Sequence, residues 1–592
     1  MDFLTESRSP AFPGLASARR KSFFGLLGLG HLLLLGLTGC DQDSEERSLP
    51  PVNSAPTSAA QSGRPTLPAE LHPKPPSSAA EMPVAPKAPP PHPGPWFVVT
   101  SSSTGLYEKA SFDKTGKFGY ARNGERLPVS GPSGSKDNCS GGWYALVGGG
   151  FVCGNSGTID EKSADLKFVQ KPPNLADILP YRYARNAKNG TPLYRSIPTR
   201  EQMHTYEPYL ESEQKEKAEA EKVAENPAPR PPRASAENKP AAIDVKTAAT
   251  EAPGPAAVRV SEQHGLGAGN GDAAEAAAEP PVAVPWWQAE DAKDRLHEVT
   301  LEKLQSDADD VLAKRMVSGF YVAIDKTFSW HGRTWYKTTK GLVTPADRFW
   351  QTKGSDFKGV ELGTEYRLPM AWVIGVQKST SAYRIDEATD GIEPERTLDR
   401  FQAVALSGET KNHRGVAYHQ TRDGLWVKSR FLRVTEPGDI PSELQPGERW
   451  IDVNLTQQTI VAFEGETPRY ATLISSGKKS SMKEKDHRTP TGTWRIYVKH
   501  LTDTMDGDGT AAGDLPYSIE DVPYVMYFHE SYALHGAFWH ANYGVQMSHG
   551  CVNLAPLDAK YLFFFATPEL VPGSHGAWSS PQRRGSLVQI HE

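Results

Sequence analysis

Four cysteines in 592 residues are too few for disulfides to take the place of hydrophobic cores along the chain. Charge of one sign is lacking as well. Lys and Arg number 65 against 71 Asp and Glu, leaving a net charge of −6, with no basic excess of the kind that nucleic-acid binding requires. Outside one N-terminal stretch, no run is apolar enough to cross a membrane. Residues 41–95 contain no Phe, Trp or Tyr and are crowded with Pro, Ala and Ser. Such a segment cannot bury enough apolar surface to offset the entropy of ordering, so it reads as a linker. Metal-ligand spacing is missing too. Asp503, Asp506, Asp508 and Asp514, with Gly507 and Gly509, lack the full spacing and terminal Glu of a calcium loop and read as an acidic flap. His529 and His540 stand at no metal-ligand spacing from a cysteine, so no metal or other cofactor is expected.

The apolar stretch that is present runs from Phe23 to Leu37 behind Arg19, Arg20 and Lys21. About fifteen residues suit an export-signal core and fall short of a spanning helix. It ends in Leu37-Thr38-Gly39-Cys40, which resembles a bacterial lipobox. That resemblance implies that residues 1–40 are a lipoprotein signal, that Cys40 is lipidated and that the chain is exported and membrane-anchored, facing the periplasm or cell envelope. An ordinary secretory signal is the alternative. Asp41 hints at retention on the inner membrane. The 41–95 linker, extended at about 3.1 Å per residue, would reach roughly 170 Å from the bilayer.

In an oxidising compartment Cys139 and Cys153, in a Gly/Ser-rich β-like segment, are favoured to pair as a disulfide. Cys551 then stands alone. An unpaired thiol outside the cytosol is an oxidation liability, so it asks for a reason. A buried inert cysteine is the plain reading; its surroundings point to chemistry instead. His535 precedes it by sixteen residues, and Gly550 beside it permits unusual backbone angles. A thiol and an imidazole are the two groups needed for acyl transfer through a thioester, with the imidazole raising the thiolate fraction. A strained turn would aim the N–H groups of His549, Gly550 and Cys551 at a developing oxyanion.

Composition divides the rest. Residues 96–205 alternate apolar and polar between Gly and Asn clusters, as in Gly142-Trp143-Tyr144-Ala145-Leu146-Val147, and read as a small β-rich module. Residues 206–285 form a second linker, with a solvated charged run Glu211–Glu225 and then Pro/Ala-rich sequence. Residues 286–440 open with a helix predicted over Leu296–Lys314 and continue as β-structure. Thr104-Gly105-Leu106-Tyr107 and Gly424-Leu425-Trp426-Val427 resemble pieces of bacterial SH3-type modules. Residues 448–592 read as one β-rich domain. Strands are expected at 450–454, 459–463, 469–475, 492–499, 522–528 and 532–536, then a helix with Pro556 in its first turn. The fold class is mainly β.

The C-terminal pieces resemble the YkuD-type L,D-transpeptidase family over roughly residues 448–570. The carriers are His535, then Ser548-His549-Gly550-Cys551-Val552-Asn553, with His487-Arg488-Thr489-Pro490-Thr491-Gly492-Thr493 and Val522–Phe528 upstream. The resemblance implies a β-rich catalytic fold acting on peptidoglycan stem peptides. Cys551 would attack the third residue of a donor tetrapeptide, expel D-Ala and pass the acyl group to another stem's amine, giving a 3-3 crosslink. His535 would accept and return the proton. Some family members carry a Ser after this His; here Gly536 leaves only its backbone carbonyl to orient the ring. His549, Gly550 and Ser548 are candidates for the oxyanion turn. Trp539, Tyr532 and Asn553 are candidates for the cleft. An L,D-carboxypeptidase or amidase of the same fold, and a non-catalytic wall-binding lipoprotein, are the competing readings.

Overall fold

A computed structural model describes residues 92–211, 215, 285–289, 294–375, 380–482, 485–508 and 515–592. The expected export signal, Cys40, nearly all of the first expected linker and most of the second lie outside the described residues. The described chain is mainly β, within the unit Ala79–Glu592. No described helix is long and apolar enough to cross a membrane.

The N-terminal half is built on a hairpin used three times. At Leu146–Gly150, Thr338–Leu342 and Thr421–Leu425, the first residue's N–H donates to the fifth residue's carbonyl and the fourth residue's N–H donates to the first's. The fourth residue is always glycine. Gly149, Gly341 and Gly424 have φ of +89°, +82° and +85°, a left-handed conformation that a Cβ disfavours. A short strand follows each time, then a 3₁₀ turn at Gly154–Ser156, Ala346–Arg348 or Ser429–Phe431, then another strand.

Around the first copy, the strands Trp96–Val99, Ser103–Tyr107, Lys117–Arg122 and Arg126–Pro132 enclose Phe97, Leu106, Leu127 and Val152. Cys139 and Cys153 are joined by an S–S bond of 2.04 Å and pack on Trp143. The second copy draws strands from both sides of the 206–285 segment. Arg182–Asn186 pairs with Tyr321–Trp330 and Phe349–Thr352, and Thr191–Tyr194 pairs with Leu312–Met316. That segment therefore interrupts a single core holding Ala184, Leu193, Val322 and Phe349. The third copy closes a separate sheet around Ala371, Val404 and Val427.

The helix expected over Leu296–Lys314 does not form. Two 3₁₀ turns, Leu296–Glu298 and Lys303–Gln305, lead instead into the strand Leu312–Met316. Asp309 Oδ1 accepts the N–H groups of Val311 (2.8 Å) and Leu312 (2.7 Å), turning the chain. Pairing with Thr191–Tyr194, more than a hundred residues earlier, then overrides local helix propensity.

In the C-terminal region Arg449–Asn454, Thr459–Glu464 and Thr467–Ser475 follow one another antiparallel, and Leu587–His591 lies parallel to the first. The expected strand 492–499 is split into Gly492–Arg495, which pairs with Leu587–His591, and Val498–Gly507, which pairs with Tyr517–His529. The helix Pro556–Phe565, with Pro at its start, buries Ala559, Leu562 and Phe563 against Tyr524, Met526 and Leu534. Its C-terminal carbonyls would be left without partners inside the protein. Buried Lys499 answers them, its Nζ donating to the carbonyls of Phe563 and Ala566 (2.6 Å), while burial pushes its ammonium down to about 7.

The hairpin Val498–Gly507/Tyr517–His529 is held from behind by buried Asp521. Its carboxylate takes Arg122 Nη1 at 2.7 Å, Thr502 Oγ1 at 2.9 Å and the hydroxyl of Thr339. The charge of Arg122 and these hydrogen bonds outweigh burial and hold the carboxyl down at about 2. Both N-terminal modules thus brace one wall of the site described next.

Candidate active site

Cys551 follows a turn whose backbone is tied on every side. Met547 and Ser548 donate to the carbonyl of Ser476 (2.9 and 3.1 Å), and Lys478 N–H returns a bond to the Ser548 carbonyl (2.9 Å). The Ser548 hydroxyl donates to the Cys551 carbonyl and accepts the Gly550 N–H at 3.1 Å. Thr489 Oγ1 donates to the Gly550 carbonyl at 2.7 Å and accepts the Gly477 N–H at 2.9 Å. Gly550 itself has φ +122°. The N–H of Gly550, expected at the oxyanion, is therefore already given to Ser548, because the turn closes on that hydroxyl.

Tyr532–Gly536 and Val552–Leu554 run parallel, with Leu534 opposite Val552 and His535 opposite Asn553. Leu534 and Val552 face the helix-side core, whereas Ala533 packs with half-buried Cys551 on the other face. Alternation along a strand puts Ala533 and His535 on one face, so the imidazole and the thiol share a face of the sheet. The thiol approaches the Ser531 carbonyl at 3.7 Å.

His535 Nδ1 lies 3.4 Å from the Gly536 carbonyl. A carbonyl only accepts, so Nδ1 carries the hydrogen and Nε2 is left as the base, a tautomer assigned from this contact. A side chain at position 536 would be crowded. A Cβ there would meet Pro523 Cγ at 3.0 Å and the Pro523 carbonyl at 3.2 Å. The imidazole stacks on half-buried Trp539, with ring centroids 5.7 Å apart. Burial pushes His535 down to about 4. Cys551 has some open surface but is ringed by protein, which pushes its thiol up to about 11 against a smaller pull from the Ala533 backbone. Both groups are neutral at neutral pH. The resting pair is therefore thiol and imidazole, not thiolate and imidazolium.

His549 stacks on Tyr517 (5.3 Å, interplanar 20°) and stands edge-on to His487 (4.8 Å). Tyr532 is half-buried and stacks on His529. Asn553 is buried and shares a 3.0 Å hydrogen bond with His540. Of the acidic residues, Asp503 accepts from Tyr527 OH at 3.0 Å and Asp508 accepts from the Leu301 N–H at 2.6 Å; Asp514 and Gly509 lie outside the described residues. No group of three His, Cys, Asp or Glu side chains gathers for a metal among the described residues.

Two residues, Thr489 and Tyr517, escaped the sequence reading, and Tyr527 reads from the sequence as core rather than cleft. Thr489 lay inside a quoted stretch without a role. Tyr517 and Tyr527 come close enough to Cys551 for its charge to raise their phenols further, after burial. A tyrosine in an alternating strand carries no mark of facing a cleft.

The tied turn, the glycine before the thiol and the strand-borne imidazole all lie in the β-rich C-terminal region. Residues 448–589 match the family model of YkuD, the L,D-transpeptidase catalytic domain. Similar solved structures include a mutant Enterococcus faecium L,D-transpeptidase, at 24% identity over 24% of this chain and 50% of that one, TM-score 0.19. The catalytic domain from E. faecium is matched at 24% identity over 24% of this chain and 98% of that chain, TM-score 0.19. An L,D-transpeptidase from Mycobacterium smegmatis is matched at 16% identity over 38% of this chain and 82% of that one, TM-score 0.19. The chain thus spans half the length of the first of these. No curated protein matches it by sequence.

Proposed function

We propose that the chain is a peptidoglycan L,D-transpeptidase with Cys551 as nucleophile and His535 as proton carrier. The parallel register that sets His535 and Cys551 on one sheet face, with Nε2 free, carries this reading. His535 Nε2 takes the thiol proton as sulfur attacks the carbonyl of the third residue of a donor tetrapeptide. The oxyanion gathers against the Cys551 N–H. Collapse breaks the peptide bond, and the imidazolium returns the proton to the departing D-Ala amine. The side-chain amine of a second stem then attacks the thioester, losing a proton to His535, and the thiol leaves protonated. The product is a 3-3 crosslink, and the reaction consumes no cofactor.

Trp539 and Tyr532 form the cleft walls in this reading. Asn553 acts behind them, holding His540. The lipobox-like Cys40 anchors the exported chain by lipid at the cell envelope, and the three hairpin-bearing modules are SH3-like wall-facing domains. Intact-mass spectrometry of the full chain with disaccharide-tetrapeptide tests the chemistry. A covalent disaccharide-tripeptide adduct that vanishes in Cys551→Ala supports it; an adduct that persists in that variant contradicts it.

A further inference from the structure

Three adjoining depressions, of about 460, 550 and 290 Å³, cross the face shared by the first two β-modules, away from Cys551. Lys337 borders the first and second, Lys171 and Lys326 border the second and third, and Gln170 borders the first and third. They are one groove. Eight Lys and Arg side chains line it and no Asp or Glu does, in a chain whose net charge is −6.

Two of the eight are engaged. Arg122 pairs with Asp521, and Arg182 Nη2 donates to Thr327 at 2.9 Å. Arg126, Lys167, Lys171, Lys326 and Lys337 make no ion pair among the described residues, and Lys340 makes none either, although its charge reaches buried Asp521 and Glu520. The nearby acid Asp325 is buried beneath the groove, where its Oδ1 accepts the Lys171 N–H at 3.1 Å. Cations gathered without counter-charge repel one another, and an anionic occupant relieves that repulsion. Phe168, 79% exposed, borders the same depression as Arg122, Lys337 and Lys340 and offers a bare ring among the charges. The groove is long, cationic and aromatic at one point, the complement of an extended polymer bearing carboxylates and apolar ring faces.

We infer that this groove binds an extended peptidoglycan strand through the free carboxylates of its stem peptides, holding the polymer on the N-terminal modules while the C-terminal site reacts. The identity of the polymer rests on the transpeptidase reading; the anion-binding character of the groove does not. Arg122 and Thr339 line the groove and also hold Asp521, on the strand that carries Tyr517 beside Cys551. Groove and cleft are therefore linked through one strand.

The test is cosedimentation of the full chain, in detergent and carrying Cys551→Ala, with purified sacculi. Combined Lys167→Glu, Lys171→Glu, Lys326→Glu and Lys337→Glu should weaken binding about tenfold or more, and raised salt should weaken binding of the parent chain. Sacculi with amidated carboxylates should not be bound. Phe168→Ala and the single change Lys337→Gln, neither of which threatens folding, should each weaken binding severalfold. Unchanged sacculus binding in all these variants, or binding to a phosphate polymer but not to sacculi, would overturn the inference. Turnover of soluble disaccharide-tetrapeptide by the charge-reversed chain with Cys551 intact should equal that of the parent. Absence of turnover in the parent refutes the transpeptidase reading and leaves the binding result to stand or fall separately.

Discussion

Gly550 lies directly beneath the ring of Tyr532: a Cβ at position 550 would sit 2.6 Å from Tyr532 Cε1, with the backbone at φ +122°. The residue before Cys551 is thus fixed as glycine by two independent constraints, space and backbone angle. The sharp turn that delivers Cys551 depends on both.

Gly550→Ala is expected to destabilise the chain by about 1–3 kcal/mol from backbone strain, with the ring clash in addition, and to slow acyl-enzyme formation. Adding Tyr532→Ala removes the clash but not the strain, so recovery should be partial. Urea unfolding and acylation followed by intact mass check both statements. Full recovery in the double variant would remove the backbone angle from the explanation.

Gly536→Ser restores the hydroxyl that some family members carry after the catalytic histidine. Here Pro523 crowds its Cβ, at 3.0 Å from Cγ and 3.2 Å from the carbonyl. Overpacking is expected to cost about 1–3 kcal/mol and to lower activity rather than raise it. A stable and faster variant would show that the strand can shift to admit the side chain.

The thiol of Cys551 is held up at about 11 and the imidazolium of His535 down at about 4. A raised thiol is protonated at neutral pH and gains thiolate only as pH climbs toward that value. A depressed imidazolium stays deprotonated until pH falls toward its own. Iodoacetamide should therefore label Cys551 more slowly than free cysteine at neutral pH, with a rate still rising in the alkaline range. A rate plateau from mildly acidic pH upward would reveal a preformed thiolate–imidazolium pair.

Trp539 stacks on His535 and shields it. Trp539→Ala admits water, so the His535 pKa should rise from about 4 toward the ordinary value of about 6.5. Histidine NMR titration of the parent and the variant reads this shift. An unchanged value would assign the depression to other neighbours.

The sequence singles out Cys551, Gly550 and His535 because they sit in compact local patterns. Pro556 marked its helix for the same reason: a missing N–H is tolerated in the first turn. What could not be read depended on distant partners. Leu312–Met316 looks helical until Thr191–Tyr194, across the long interruption, claims it as a strand. The repeated hairpin is not read from the sequence: Thr338–Leu342 and Thr421–Leu425 share Thr-x-x-Gly-Leu, but Leu146–Gly150 has the same backbone with only the glycine in common. Asp521 reads as one acid among many, and only the fold brings Arg122, Thr339 and Thr502 around it. The cationic groove stayed hidden for the same reason, because its lysines are spread from 167 to 340 in a chain of balanced composition.

The most direct measurement incubates the full chain in detergent, with Cys551 intact and as Cys551→Ala, with purified disaccharide-tetrapeptide, and reads the products by mass spectrometry. A 3-3 dimer lighter than two monomers by one D-Ala, absent from the variant, is the expected result. Tripeptide without dimer would make water the acceptor and the enzyme a carboxypeptidase, and dimer formed equally by Cys551→Ala would contradict the account outright.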